Sequence, residues 1–145
     1  MSDSKGKIAV ITGATGGIGF QVAKRLGEDG YTVILNGIED GKGAERINEL
    51  TSAGIDAEYY GFDVTNEEEV NANINKVGVK YGKIDALINN AGGLGGRSRF
   101  EEMTTEFYRK VMALNLDSTF FVSRAAIPFL KKGDNPSIIN YTSNA

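Results

Sequence analysis

The sequence predicts an α/β fold in which a doubly wound parallel sheet carries helices on both faces. Two observations predict it. Short segments of strand length alternate with longer segments of helical periodicity, and the short segments are apolar almost throughout, as in parallel strands buried on both faces. No linker, repeat or low-complexity stretch interrupts this alternation. We therefore expect residues 1–145 to form one domain with five strands in the order 3-2-1-4-5.

The first half of the chain supplies two strand–helix–strand units. Residues 7–12 are apolar, β-branched and bounded by glycines, which predicts a buried strand. Apolar residues recur at helical spacing over 18–29 and 40–53, and a glycine follows each segment, as at many helix ends. Two further apolar runs, 31–35 and 57–62, predict the second and third strands.

The second half continues the alternation. Three consecutive glutamates follow Thr65 and Asn66, either of which can cap a helix, and acidic residues suit a helix N-terminus. This pattern predicts a helix over 67–81. The remaining segments are a strand over 84–88, one long helix over 104–130 and a strand over 137–141.

The composition excludes several kinds of chemistry. The chain of 145 residues has no histidine, cysteine or tryptophan, which excludes Ser-His-Asp and Cys-His catalysis, disulfides and thiolate or imidazole metal ligands. Its carboxylates form no tight motif, and we expect no metal site. A net charge of −3 without a basic stripe argues against nucleic-acid binding. No apolar run approaches the ~20 residues of a membrane span and no signal segment begins the chain, so we expect a cytoplasmic protein without membrane contact.

A glycine-rich turn follows the first predicted strand and leads into the first helix. Its sequence is Thr-Gly-Ala-Thr-Gly-Gly-Ile-Gly, residues 12–19. At a strand-to-helix turn, glycines let the backbone approach a pyrophosphate, which then lies on the N–H groups of the helix N-terminus. This context predicts a Rossmann-type dinucleotide site. The alternative is a glycine-rich turn that binds nothing.

This turn resembles the motif Thr-Gly-x-x-x-Gly-x-Gly of the short-chain dehydrogenase/reductase family. It also matches the spacing Thr-Gly-x-x-Gly-x-x-Gly of the family's extended branch, which includes nucleotide-sugar epimerases. The segment Asn89-Asn90-Ala91-Gly92, after the fourth strand, resembles a signature of the single-domain oxidoreductases and favours that branch. The resemblance implies an NAD(P)-dependent enzyme that interconverts a carbonyl and a secondary alcohol by hydride transfer, similar to 3-oxoacyl-carrier-protein reductases and sugar-uronate reductases.

The resemblance also implies roles for individual residues. Asp63 is expected to accept a hydrogen bond from the adenine amino group, Asn115 to hold a water of the proton relay, and Ser143 to polarise the substrate carbonyl. The predicted catalytic residues are thus Ser143 and Asn115. The predicted cofactor-binding residues are Gly13, Thr15, Gly16, Gly17, Ile18, Gly19, Asn36, Asp63, Val64, Asn89, Ala91 and Gly92.

NAD is the predicted cofactor, with NADP as the alternative. No basic residue occurs in the glycine turn or directly after the second strand. Asn36 can hydrogen-bond a ribose hydroxyl, and Glu39 and Asp40 would repel a 2′-phosphate. The expected partner is a small carbonyl or alcohol substrate. Arg97 is either a ligand for a substrate carboxylate or a solvated loop residue.

One part of the family's chemistry is missing from these residues. The family's proton donor is a tyrosine followed four positions later by a lysine, and none of the six tyrosines has a lysine at that spacing. We therefore expect the N-terminal portion of a larger single-domain dehydrogenase, a homo-oligomer in its full-length form, which is inactive as this chain alone. The fifth strand would then be an edge, which predicts self-association, disorder near the C-terminus or pairing with a second chain. The alternative is a non-catalytic dinucleotide-binding module or isolated half-domain.

Overall fold

A computed structural model describes residues 4–143 of the chain. Its five strands form one parallel sheet in the order β3-β2-β1-β4-β5, which confirms the predicted fold class and strand order. The elements are β1 (Ile8–Ile11), α1 (Gly17–Glu28), β2 (Thr32–Gly37), α2 (Asp40–Ser52), β3 (Ala57–Gly61), α3 (Glu67–Tyr81), β4 (Ala86–Asn89), a 3₁₀ turn (Phe100–Glu102), α4 (Thr105–Met112), a π-helical segment (Ala113–Asp117), α5 (Ser118–Leu130) and β5 (Ser137–Asn140).

The side chains of the central strand β1 alternate between two apolar layers. Ile8 and Val10 pack on one face with residues of α3 and α5, whereas Ala9 and Ile11 pack on the other with residues of α1 and α2. All four are at most 4% exposed. Burial on both faces explains why this strand is apolar at every position.

The predicted helix boundaries agree with the structure to within one or two residues, except in the long helix. Asn66 rather than Thr65 is the cap of α3, because its side chain accepts hydrogen bonds from the N–H groups of Glu68 and Glu69. None of the helices in the part of the chain that the structure describes is long and apolar enough to cross a membrane.

The prediction of one continuous α-helix over 104–130 is wrong, because a π-helical segment at Ala113–Asp117 separates α4 from α5. Asn115 Nδ2, within this segment, donates to the Val111 carbonyl at 2.9 Å, and Ser118 Oγ, directly after it, donates to the Leu114 carbonyl at 2.6 Å. Side chains that bond to the preceding turn compete with the regular backbone ladder. The segment lies beside the carboxyl edge of the sheet, and π-turns within helices are frequent at functional sites.

Asp85 holds the opposite, amino-terminal edge of the sheet. The side chain is buried, with Oδ2 accepting from Ile8 N and Oδ1 from Asp134 N, both at 2.7 Å, and Lys83 forms an ion pair with it. Burial raises the pKa of Asp85, but the two N–H donors and the Lys83 ammonium together outweigh it and hold the pKa below its usual value. Asp85 therefore ties the start of β1 to the loop before β5.

The strand β5 lies at the edge of the sheet, as predicted. It pairs with β4, and its four residues are all exposed in the described chain, including Ile138 at 40% and Ile139 at 47%. Self-association through this edge stays a prediction. The predicted disorder near the C-terminus concerns residues that include 144 and 145, which lie outside the described residues.

Candidate functional site

The turn after β1 is held close to the rest of the sheet, and its conformation requires glycine at two positions. Gly13 has a φ of +60°, and a Cβ there would lie 2.9 Å from the Cα of Ala91. Gly17 has a φ of +55° and no neighbouring atom within 4 Å of an added Cβ, so it faces open space. Gly16 caps α1 without a side-chain hydrogen bond. The first N–H groups of a helix have no partner within the helix, so this N-terminus offers donors to an anion.

Thr12 and Asn90 join the glycine turn, residues 12–19, to a second glycine segment, residues 89–96, which follows β4. Thr12 Oγ1 accepts hydrogen bonds from the N–H groups of Asn90 and Ala91, both at 3.0 Å. Asn90 Nδ2 donates in return to the carbonyls of Thr12 and Gly13, also at 3.0 Å. Neither residue was among the predicted site residues, although both lie within the motifs that identified the site. The available signal was that each residue lies in a motif directly after a strand, and that these two strands, β1 and β4, are neighbours in the predicted order.

The carboxyl ends of the first four strands surround a cleft of about 1000 Å³. Crevices at this edge of an open α/β sheet are where such folds bind ligands. Ten of the predicted cofactor residues line this cleft: Gly13, Thr15, Gly16, Gly17, Ile18, Asn36, Asp63, Val64, Ala91 and Gly92. The other lining residues are Gly37, Ile38, Phe62, Thr65, Asn90, Lys110, Ala113 and Leu114. Lys110 and Leu114 were not predicted, because the resemblance singles out only Asn115 in this region and does not show which of its neighbours face the cleft.

Two predicted cofactor residues lie behind the cleft wall. A Cβ at Gly19 would collide with the side-chain nitrogen of Asn90, so this glycine permits close packing of α1 against the second glycine segment. The amide of Asn89 donates to Ser123 Oγ at 3.0 Å and to Asn140 Oδ1 at 2.8 Å, which joins β4 to α5 and β5. Both residues position the wall of the cleft.

The structure gives the Asn36 side chain a role different from the expected ribose contact. Asn36 is 2% exposed, and its Nδ2 donates to the Phe62 carbonyl at 2.9 Å. Its Oδ1 accepts from Gly13 N at 3.3 Å. Because the buried carboxamide is already occupied by backbone groups, it braces the glycine turn against β3.

Asp63 and Val64 follow β3 and line the cleft. Asp63 Oδ1 accepts from both the N–H and the hydroxyl of Thr65, at 2.8 and 2.7 Å. This oxygen therefore fixes the local turn before α3. The contact of Asp63 with adenine stays a prediction.

Asn115 binds the second glycine segment. Its Oδ1 accepts from Gly93 N at 3.0 Å and its Nδ2 donates to the Gly93 carbonyl at 2.7 Å, so the π-helical segment is tied to the loop after β4. Its role in a proton relay stays a prediction. Ser143 follows β5 at the carboxyl edge and is exposed, and its catalytic role also stays a prediction.

The acidic residues after β2 have partners within the protein, and their repulsion of a 2′-phosphate stays a prediction. Glu39 forms an ion pair with Lys42 at 3.0 Å. An Asp40 oxygen lies where a Cβ of Gly61 would stand, and burial together with the nearby Asp40 charge raises the pKa of Tyr59. At the end of β2 the cleft is therefore lined by Gly37 and Ile38. Residues 4–143 contain no group of three or more acidic side chains placed to hold a metal ion.

Comparison with known proteins identifies the family. The family profile described as short chain dehydrogenase matches residues 7–145. The chain belongs to the short-chain dehydrogenase family. This agrees with the glycine turn, the segment Asn89–Gly92 and the strand order 3-2-1-4-5.

Individual family members resemble the chain over nearly its whole length. A 2-dehydro-3-deoxy-D-gluconate 5-dehydrogenase of Formosa agariphila is 38% identical over 142 residues, which cover 97% of this chain and 53% of that protein. An NADH-dependent reductase responsible for alginate metabolism is 35% identical with a TM-score of 0.92, over 99% of this chain and 61% of that one. A metagenomic short-chain oxidoreductase in complex with NADP is 31% identical, also with a TM-score of 0.92, and the match covers 99% of this chain and 65% of that one. The chain spans about half the length of the curated relatives it matches.

Proposed function

We propose that this chain is the cofactor-binding part of an NAD(P)-dependent oxidoreductase that interconverts a carbonyl and a secondary alcohol. The observation that carries the proposal is the cleft of about 1000 Å³ at the carboxyl edge of the sheet, lined by both glycine segments and open to the N-terminus of α1. We further propose that the chain is the N-terminal portion of a larger single-domain dehydrogenase. Its span of about half of its relatives' length supports this.

Each part of the cleft has a proposed task. The glycine turn holds the pyrophosphate with backbone N–H groups, and Asp63 and Val64 hold the adenine. The bound nicotinamide supplies or accepts the hydride. Ser143 polarises the carbonyl oxygen. Because no tyrosine here is followed four positions later by lysine, we propose that this chain alone does not turn over substrate.

NAD(H) is the proposed cofactor, with NADP(H) as the alternative. Gly37 and Ile38 bring no cation to the end of β2, where an arginine would accommodate a 2′-phosphate. Lys42 is paired with Glu39. The similarity to an NADH-dependent reductase supports NAD(H), and the similarity to an oxidoreductase in complex with NADP supports the alternative.

The proposed substrate is a small carbonyl or alcohol. The similarity to a dehydrogenase of 2-dehydro-3-deoxy-D-gluconate supports a sugar-derived keto acid. Arg97 is exposed in the loop after the second glycine segment, where it can meet a carboxylate. We retain the proposal, from sequence, that the enzyme is cytoplasmic and that its full-length form is a homo-oligomer.

A matched pair of glycine substitutions tests dinucleotide binding. Gly17 and Gly82 have φ of +55° and +76°, and an added Cβ meets no atom within 4 Å at either position. Gly17→Ala and Gly82→Ala should therefore cost similar stability, about 1 kcal/mol each. Only Gly17 lines the cleft, so only Gly17→Ala should weaken NADH binding, by about tenfold or more.

Binding is measured from the fluorescence change of NADH on titration with each variant. Equal affinity of the two variants would contradict the placement of the pyrophosphate at this turn. Absence of NADH binding by the unsubstituted chain would contradict the proposed function. Turnover of carbonyl substrates by the 145-residue chain at rates usual for an enzyme would contradict the proposed inactivity.

A further inference from the structure

Arg46, in the middle of α2, is fixed against the outer side of the glycine turn by three contacts. Its Nε donates to the Thr15 carbonyl at 3.0 Å, and its Nη1 is paired with Glu49 Oε2 at 3.0 Å. Its guanidinium carbon lies 4.5 Å from the centre of the Phe20 ring on α1. A cation over an aromatic face, a carboxylate and a carbonyl together restrict this side chain to one orientation.

The contact with Thr15 determines the direction of the peptide group that follows. The described residues contain no cis peptide bond, so the carbonyl of Thr15 and the N–H of Gly16 point in opposite directions. Arg46 lies in a groove of about 830 Å³ on the outer side of the turn, between α1 and α2. A Thr15 carbonyl held towards this groove therefore turns the Gly16 N–H away from it, towards the side where the dinucleotide cleft lies.

Thr15 is also held by its side chain, on the side of the sheet. The Thr15 methyl and hydroxyl groups occupy the space that a Cβ at Gly37 would take, so Thr15 packs directly against the end of β2. Thr15 is thus fixed by its side chain on β2 and by its carbonyl on α2. Between it and Gly19 lie Gly16, Gly17 and Ile18, and glycine residues have the largest conformational freedom to lose.

We propose that Arg46 is a positioning residue that holds the glycine turn in the conformation that binds a pyrophosphate. The turn cannot hold itself, because the cap of α1 is a glycine without a side-chain hydrogen bond and the turn is rich in glycine. Arg46 supplies the missing constraint from α2, outside the motif that identifies the site. The inference rests on the proposed function, since it assigns a role in dinucleotide binding.

The test compares Arg46→Met with Arg25→Met. The first variant keeps an apolar stem beside Phe20 but loses the donor to Thr15. Arg25 lines the same outer groove, but its guanidinium is paired with Glu28 and Asp29 at the C-terminal end of α1. Three ligands are titrated into each variant: NADH and NADPH by fluorescence, and adenosine, which has no pyrophosphate, by NMR of its aromatic protons. Thermal unfolding of each variant is recorded alongside.

We expect Arg46→Met to raise the Kd of NADH and of NADPH alike, by about tenfold, the usual effect of losing one charge-assisted hydrogen bond. Adenosine affinity should change less than about twofold, and Arg25→Met should leave all three affinities unchanged. A merely structural role for Arg46 would lower all three affinities together.

Three results would overturn the inference. Equal loss of adenosine and NADH affinity would show general damage to the fold. A loss confined to NADPH would make Arg46 a ligand of the 2′-phosphate instead. Unchanged affinities would show that the turn does not need Arg46. If the unsubstituted chain binds no NADH, the proposed function fails and this inference fails with it, whereas binding that Arg46→Met does not alter refutes the inference alone.

Discussion

Replacing Asn36 tests whether this buried residue braces the glycine turn. Its Nδ2 forms one well-made hydrogen bond to the Phe62 carbonyl at 2.9 Å, and its contacts with the Tyr60 and Gly37 carbonyls, at 3.4 and 3.5 Å, are too long to count as full bonds. Its Oδ1 forms a weaker bond with Gly13 N at 3.3 Å. Asn36→Ala removes both bonds and leaves the buried Phe62 carbonyl and the partly buried Gly13 N–H unpaired. We therefore expect it to lower the free energy of unfolding by about 2–3 kcal/mol.

Asn36→Asp gives a second measure of the same geometry. The introduced carboxylate keeps an acceptor for Gly13 N but places a negative oxygen beside the Phe62 carbonyl, 2.9 Å from the former amide nitrogen. Burial and the facing carbonyl favour the neutral form, so the carboxyl pKa is raised in the folded state. The additional destabilisation should be absent below about pH 4, where the carboxyl is protonated in both states. It should grow between about pH 4 and the higher folded-state pKa and stay constant above that pKa.

Urea unfolding followed by circular dichroism measures both effects, at pH 7 and in mild acid. Asn48→Ala is the matched control, because Asn48 is exposed on α2 and far from the turn in sequence. Its effect should stay within about 0.5 kcal/mol. If Asn36→Ala also stays within that limit, the carboxamide is not a brace, and the expected contact with a ribose regains its place.

Three further predictions concern the rest of the fold. Because the pKa of Asp85 is lowered by folding, its contribution to stability should be full above about pH 4 and should fall as the solution is acidified. Asp85→Asn should lose this part of the acid dependence in unfolding titrations. In α2, Gly41→Ala should raise the free energy of unfolding by about 0.5–1 kcal/mol, because an added Cβ meets no atom within 4 Å. Gly43→Ala should lower the free energy of unfolding, since a Cβ there would lie 2.6 Å from the ring atoms of Tyr59. A gain in both variants would contradict this packing. If the exposed edge strand β5 drives self-association, Ile139→Lys should reduce the apparent mass in light scattering at high concentration, and an unchanged mass would exclude this edge as the contact.

The sequence predicted the fold well because each layer leaves a periodic trace. Strands buried on both faces are apolar at every position, and helices packed on one face repeat at 3.6 residues. These two periods identify the strands and helices, and because connections between parallel strands are right-handed, few arrangements of the strands in the sheet remain possible. The π-helical segment Ala113–Asp117 left no such trace, because the hydrogen bonds that accompany it join Asn115 to Val111 and, in both directions, to Gly93. A contact over 22 residues has no local signature in the sequence.

The candidate site was predicted in outline but not in its supports. The motifs placed the glycine turn, Asp63 and Asn89–Gly92 at one edge of the sheet, and residues of all three line one cleft, with Asn89 behind its wall. The backbone partners of the Asn36 side chain could not be predicted, because a residue that ends a strand can point to the cleft or into the protein. Its contact with a ribose stays a prediction. Arg46 escaped notice because it lies in α2, 31 residues from the carbonyl it binds.

The glycines of the site fall into two classes that the sequence alone does not separate. At Gly13, the Cα of Ala91 would lie 2.9 Å from an added Cβ, and at Gly92 the Asn115 oxygen would lie 2.8 Å from one. Gly17 has no such neighbour, and the space beside it belongs to the cleft. A side chain at Gly13 or Gly92 must therefore push protein segments apart before any ligand arrives, whereas a side chain at Gly17 meets the ligand itself. Loss of NADH binding in a Gly92 variant is consequently a measure of packing. Variants of Gly17, and of Gly16, which also lines the cleft with no atom within 4 Å of an added Cβ, report on the pyrophosphate.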